Sequence, residues 1–335
     1  MSEKKRKVFF KNYQSPGDLL MLTAAVRDLK ISHPDIEIGV DTAAFEIWEN
    51  NPYITKMNRN EADVEFFKVD YPLINNSNEG QYHFIHGFRK DIEDKLDLKI
   101  KPTKFKGDIH ISDEEKSWMS QVEEMGIKDN FWIINSGIKY DFTAKTWNPY
   151  YYQEVVDYFK GKIIFVQVGS KEHFHPLLNN TINLIGKTNL RQLIRLVYHS
   201  VGVLCPITLL MHLAAAVESR HGLLNRPCVV LAGGREPSVW EKYGHHRFME
   251  TNGCLLCCNS GGCWKSRCSK VGDGDKKDND EELCLYPIEV DIEFKGSKLR
   301  VPKCLYMIKP KDVIRAVEMY YDGGVLEYNS SINKV

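Results

Sequence analysis

Residues 8–30 read VFFKNYQSPGDLLMLTAAVRDLK, a short apolar run, a break at Ser15-Pro16-Gly17, and a periodic stretch behind it. Val8 to Phe10 have strand composition, and Leu19, Leu22, Val26 and Leu29 recur at three- and four-residue intervals, so a buried strand hands over to a helix with one face on a sheet. Such a turn aims the helix's free N–H groups at whatever lies above the strand end. Asp18 and Gly17 stand there, at the sheet edge where open α/β proteins bind ligands.

The same grammar continues along the chain. Ile36 to Val40 and Val64 to Val69 read as strands, Thr42 to Asn50 as a helix, and Tyr82 to Leu96 as a helix weakened by Gly87. Ser112 to Met125 reads as one helix opened by Ser-Asp-Glu-Glu. After the polar stretch Gly126 to Asn130 the pattern restarts: strands at Phe131–Asn135, Ile163–Val168, Ile182–Ile185, Gly202–Cys205 and Cys228–Ala232 alternate with helices at Pro149–Phe159, Leu190–Tyr198 and Leu209–Glu218. That alternation predicts two doubly wound parallel sheets in one α/β chain. Residues 1–127 and 128–250 form the two domains, 251–309 an irregular cysteine-rich segment, and 310–335 a closing helix, Lys311 to Tyr321, with its tail.

Composition bounds the function. At 335 residues two cores are expected, and 45 basic against 45 acidic side chains give a formal net charge of zero, which argues against nucleic acid as a partner. Lys4 to Lys7 reads as a solvated chain start; no apolar run follows it, so a signal peptide is not expected. Leu193 to Val217 is broken by Arg195, His199, Pro206 and His212, so no membrane span is expected and the location is read as cytoplasmic.

Seven of the nine cysteines, Cys254, Cys257, Cys258, Cys263, Cys268, Cys284 and Cys304, crowd the last third of the chain. In a cytosolic chain such density reads as a thiolate site for a structural metal, zinc or iron, rather than disulfides. Cys257, Cys258, Cys263, Cys284 and Cys304 are its candidate ligands, while Cys205 and Cys228 lie on core strands.

Several of these pieces also carry a resemblance. Gly17-Asp18-Leu19 with Thr23-Ala24-Ala25, Lys145 with Trp147, Gly186 with Asn189-Leu190, Met211 to Ala215, and Gly233 to Pro237 occur in an order similar to glycosyltransferase family 9, the ADP-heptose:lipopolysaccharide heptosyltransferases. Cys263-Trp264, Leu283-Cys284 and Lys303-Cys304 before Met307 to Pro310 resemble the C-terminal segment of the bacterial autotransporter heptosyltransferases, which bind iron through cysteines. The resemblance implies a GT-B enzyme whose two Rossmann-like domains face a cleft, the acceptor meeting the first domain and a nucleotide-sugar donor, ADP-heptose favoured, held by the second.

Asp18 then has two readings, N-cap of the helix or general base for an acceptor hydroxyl; Glu172 and His86 are weaker candidates for the base. Lys145, beyond the strand end Asn135-Ser136-Gly137, is placed to neutralise a diphosphate or is simply solvated. Ser136, Gly169, Thr208, Met211, His212 and Gly17 complete the donor-binding set. Thr208 to His212 opens a helix suited to phosphate, with Leu209 where the family commonly has glycine, and His212 fits either a buried helix histidine or a phosphate donor. The reaction read here is inverting transfer of a heptose-like sugar to a hydroxyl of a glycan or protein, with no NAD or pyridoxal phosphate; an epimerase or phosphorylase of sugars is a second enzyme reading, and a phosphorylase would need a pyridoxal lysine or an inorganic-phosphate pocket, neither of which the sequence clearly shows. A non-catalytic, metal-stabilised binding module is the alternative, and a homo-oligomer stays open.

Overall fold

The computed structural model describes residues 5–71, 79–80 and 82–329, so Lys4 of the basic run and the end of the tail lie outside the described residues. The chain divides into two compact units: Met1–Trp118 with Ala215–Glu218 and Val239–Tyr243, and the remainder. The division falls at Trp118, ahead of the polar stretch Gly126 to Asn130, and the cysteine-rich segment belongs to the second unit.

Unit 1 is built on β1 (Lys7–Asn12), α1 (Pro16–Ser32), β2 (Glu37–Thr42) and β3 (Val64–Lys68), with parallel strands in the order β2-β1-β3. The expected helix at Thr42 to Asn50 shrinks to a 3-10 turn at Phe45–Trp48. Helix α2 (Phe84–Leu96) packs on α1, and the short α3 (Asp113–Ser117) follows it in the chain. The long helix expected over Ser112 to Met125 stops at Ser117, because the sequence carries two starts. Ser112 and Glu115 form one reciprocal capping box, and Ser120 and Glu123 exchange a second pair of hydrogen bonds, with Trp118 extended between them. Gly87 inside α2 is explained by space: a Cβ there would stand 3.0 Å from the Cβ of Tyr71, which packs against the helix.

Helix α1 is buried on every side from Leu19 to Leu29, rather than on one face. Its outer face is covered by residues 103–108, clasped by Arg27. The Arg27 guanidinium donates to Lys104 O (2.6 Å), Lys106 O (3.0 Å), Thr103 Oγ1 (3.1 Å) and Asp28 (3.1 Å).

Unit 2 holds β4 (Phe131–Ile134), α4 (Pro149–Tyr158), β5 (Ile164–Gln167), β6 (Thr181–Asn183), α5 (Leu190–His199), β7 (Gly202–Pro206), α6 (Leu209–Ala216) up to Ala214, β8 (Cys228–Gly233) and β9 (Arg247–Glu250). Its six strands are all parallel in the order β6-β5-β4-β7-β8-β9. The central strands are apolar throughout because both faces are covered, which is what a parallel sheet requires. Chain order reverses between β4 and β7, making a crevice at their C-terminal ends.

The cysteine-rich segment is more regular than its sequence predicts. It contains the hairpin β10 (Pro287–Phe294) and β11 (Ser297–Pro302), turned at Lys295 and Gly296 with φ of 52° and 77°, then the short α7 (Lys303–Tyr306). The last helix, α8 (Pro310–Asp322), returns to the sheet: Val313, Val317 and Tyr320 share a core with Trp132, Val155 and Val229.

The clasp yields a first expectation. Arg27→Met leaves Asp28 buried without its cation and two carbonyls without donors, so urea unfolding of the variant loses about 3–5 kcal/mol; a loss under about 1 kcal/mol removes the clasp from the account of unit 1.

Candidate functional site

In unit 1 the site residues gather at the C-terminal end of β1, the central strand. Asn12, buried at that end, donates to Val69 O (3.0 Å) and to the Gln14 side chain (2.8 Å), and Gln14 donates in turn to Asp70 Oδ1 (3.0 Å). The ends of β1 and β3 are thereby fixed together. Ser15 is the N-cap of α1, so Asp18 is not the cap residue itself: it stands at the third helical position and its Oδ2 accepts the Ser15 N–H at 3.1 Å, the return arm of a capping box. Its Oδ1 accepts the Tyr71 hydroxyl at 3.1 Å. Gly17 lies beside it in the same turn, on a different unit from the rest of the donor set. His86 lies on α2 against Phe105, its pKa lowered by burial and by Arg89, and Glu172 is exposed on a loop of unit 2.

In unit 2 the residues gather at the crevice between β4 and β7. Lys145 closes a 3-10 segment (Tyr140–Lys145) behind β4, and its Nζ reaches Ile207 O at 3.5 Å, beyond the end of β7. The same Nζ pairs with Glu236 at 2.9 Å, and Glu236, 3% exposed, is also in an ion pair with Arg235. Two cations around one buried carboxylate leave a net positive spot at the sheet edge. Thr208 precedes α6, whose Met211 N–H donates to Thr208 O (3.1 Å); Met211 and His212 are buried, His212 near His246, and Leu209 is half-buried at the helix start.

Ser136, buried, accepts from Gln167 (2.8 Å), which also donates to Pro176 O (2.7 Å) and draws the loop after β5 over the strand ends. That loop bridges Phe174 to Ile138 and lays the His175 ring across Gly137 and Gly169, so a Cβ at either glycine would collide with the imidazole. Both His175 ring nitrogens are buried without a hydrogen-bond partner, and burial pushes its pKa down to about 4, leaving it neutral.

Cys257, Cys263, Cys284 and Cys304 line one cavity together with Arg235 and Lys265. Burial and the neighbouring sulfurs push Cys257 up to about 12 and Cys304 up to about 11, and raise Cys263 likewise. Cys284 is held at about 7 by a hydrogen bond from Cys268. Cys258 is among the sulfurs that raise Cys257 and Cys263, and its thiol donates to Leu255 O (3.4 Å) and Thr251 O (3.7 Å). Among the described residues no three cysteine, histidine, aspartate or glutamate side chains come close enough to hold a metal ion.

The family model for glycosyltransferase family 9 (heptosyltransferase) matches residues 72–246, more than half of the chain. The chain belongs to glycosyltransferase family 9. It is therefore a glycosyltransferase. No curated protein matches it in sequence. Several solved structures share its fold. ADP-heptose LPS heptosyltransferase II of E. coli is 15% identical, with 96% of this chain and 100% of that one covered and a TM-score of 0.60. The iron-containing dodecameric glycosyltransferase TibC of enterotoxigenic E. coli H10407 is 14% identical, with 96% and 77% covered and a TM-score of 0.63. A family 9 glycosyl transferase of Veillonella parvula DSM 2008 is 16% identical, with 75% and 87% covered and a TM-score of 0.57. No helix among the described residues of the glycosyltransferase is long and apolar enough to cross a membrane.

Tyr71, His175 and the role of Glu236 as partner of Lys145 had no signal in spacing or composition, because each is defined by a contact across distant sequence. The close fit of His175 makes a second expectation: Gly169→Ala costs about 1–3 kcal/mol in urea unfolding, and adding His175→Ala restores most of it. An equal loss with and without the ring refutes the contact.

Proposed function

We propose that this family 9 glycosyltransferase moves a heptose from ADP-heptose to a hydroxyl of a glycan or protein acceptor, with inversion at the anomeric carbon. The observation that supports this most is the placement of Lys145, carried from behind β4 to the end of β7 at the strand-order reversal of the six-stranded sheet. ADP-D-β-D-heptose is the ligand of a TibC complex with the same fold.

In the reaction, Asp18 takes the proton of the acceptor hydroxyl, whose oxygen attacks the anomeric carbon opposite the leaving group. The bond from that carbon to the diphosphate oxygen breaks, and ADP leaves with the electron pair. Lys145 meets the charge that develops there, and the N–H groups that open α6 behind Thr208 add to it. Glu236 keeps Lys145 in place before the donor arrives.

The cysteine cavity has the donor set of a thiolate metal site, and holding an ion requires its side chains to draw closer together than they stand in this structure. Burial first, and neighbouring sulfurs second, raise the pKa values of Cys257, Cys263 and Cys304. Cys257, Cys263, Cys284 and Cys304 would hold iron or zinc, and such a metal cross-links the segment. Cys258, next to Cys257 and within electrostatic reach of Cys263, is the fifth candidate ligand.

The decisive assay incubates the purified chain with ADP-heptose and follows ADP release. Asp18→Asn keeps an acceptor for the Ser15 N–H but cannot take a proton, so turnover falls about 10²- to 10⁴-fold while the melting temperature stays close to the parent's. Parent-level turnover by this variant excludes Asp18 as the base, and donor binding without any turnover favours a binding module, in which Leu209 narrows the phosphate seat. Elemental analysis of untagged protein tests the metal: about one iron or zinc per chain, lost with a lower melting temperature in Cys284→Ala or Cys304→Ala. Metal-free, stably folded parent protein rules it out.

A further inference from the structure

A capping box needs one oxygen of its acidic residue, and Oδ2 of Asp18 fills that need. Oδ1 has no capping work, yet it is held by the Tyr71 hydroxyl at 3.1 Å, a contact spanning 53 positions of sequence. Tyr71 is the less mobile partner. It is 7% exposed, its ring stacks on Phe84 at 4.4 Å and meets Phe88 edge-on at 4.9 Å, and Phe84 leans on the fully buried Trp240 at 5.1 Å. The Tyr71 N–H donates to Asp70 Oδ1 at 2.9 Å, the same oxygen that takes the Gln14 side chain, so the backbone behind the ring is fixed too. Burial, with the carboxylates of Asp18 and Glu241 nearby, raises the Tyr71 phenol far above its ordinary value, so it remains a donor.

We propose that Tyr71 is the positioning residue of the Asp18 base: its hydroxyl and the Ser15 N–H hold the two carboxylate oxygens from opposite sides and set the plane in which Asp18 meets the acceptor. The inference rests on Asp18 being the base. A carboxylate gripped at one oxygen swings about its Cα–Cβ and Cβ–Cγ bonds; gripped at both, it has one orientation, and a misplaced base loses much of its rate advantage. No bond is made or broken at Tyr71, whose proton stays on the phenol.

The test uses the full chain, with ADP-heptose as the probe and water as the acceptor. Tyr71→Phe keeps the ring and its stack and removes only the hydroxyl. ADP release falls about tenfold in kcat, while ADP affinity by calorimetry stays within about twofold of the parent. In the Asp18→Asn background the same change has no further effect, because a base that cannot take a proton gains nothing from orientation. Parent-level kcat in Tyr71→Phe beside a crippled Asp18→Asn overturns the positioning role alone. So does an equal fold-loss in both backgrounds, which marks a merely structural hydroxyl. Full turnover by Asp18→Asn, or none by the parent chain, overturns the base and the positioning role together.

Discussion

One buried hydroxyl ties the 3-10 segment that carries Lys145 to the cysteine-rich chain far beyond it in sequence. Thr143 Oγ1 donates to Ser269 O at 2.8 Å and accepts the N–H groups of Cys268 (3.0 Å) and Ser269 (3.1 Å), and the next residue, Ala144, donates to Ser266 O (3.1 Å). Lys145 follows immediately. A lone 3-10 segment is a weak platform, so the orientation of this lysine is set by the cysteine-rich chain against which the segment hangs. Arg235 closes the loop from the other side, lining the cysteine cavity while touching Glu236, the partner of Lys145. The segment is thus part of the support of Lys145 and not an appendage to the sheet.

Both candidate sites obey one topological rule. In unit 1 the strand order β2-β1-β3 puts Asp18 above the strand at which the chain reverses, and in unit 2 the order β6-β5-β4-β7-β8-β9 puts Lys145 and Thr208 at the corresponding place. A parallel sheet leaves its C-terminal strand ends open at such points, and the helix starts there supply N–H groups.

Periodicity exposed most of the core because the strands of a parallel sheet are apolar runs and its helices carry regular stripes. What it missed has specific causes. Ser112 with Glu115 and Ser120 with Glu123 are the same signal twice, and reading only the first made one helix of two starts. The hairpin was legible in the alternation of Ile288, Val290, Ile292 and Phe294 before Lys295-Gly296, but the cysteines drew attention from it. Asp18 was readable as a residue at a helix start; that its second oxygen belongs to Tyr71 was not, since no local pattern encodes a hydrogen bond between two strand ends. Density of cysteine pointed to a thiolate metal site, and four of those cysteines line one cavity, but among the described residues no three metal-capable side chains stand close enough to hold an ion, a spacing that no sequence pattern encodes.

The return of α8 to the sheet bears on how the chain is made. Trp132 Nε1 donates to the Tyr321 hydroxyl at 2.9 Å across 189 positions, and the sheet face beneath them is closed by Val313, Val317 and Tyr320. At ordinary translation rates roughly 10–40 s separate the emergence of these two residues. For that interval the apolar face of β4 has no permanent cover, whereas most of unit 1 has already been synthesised. Newborn unit 2 therefore exposes an apolar sheet face until its last helix leaves the ribosome, and a chain that ends in the cysteine segment keeps that face open.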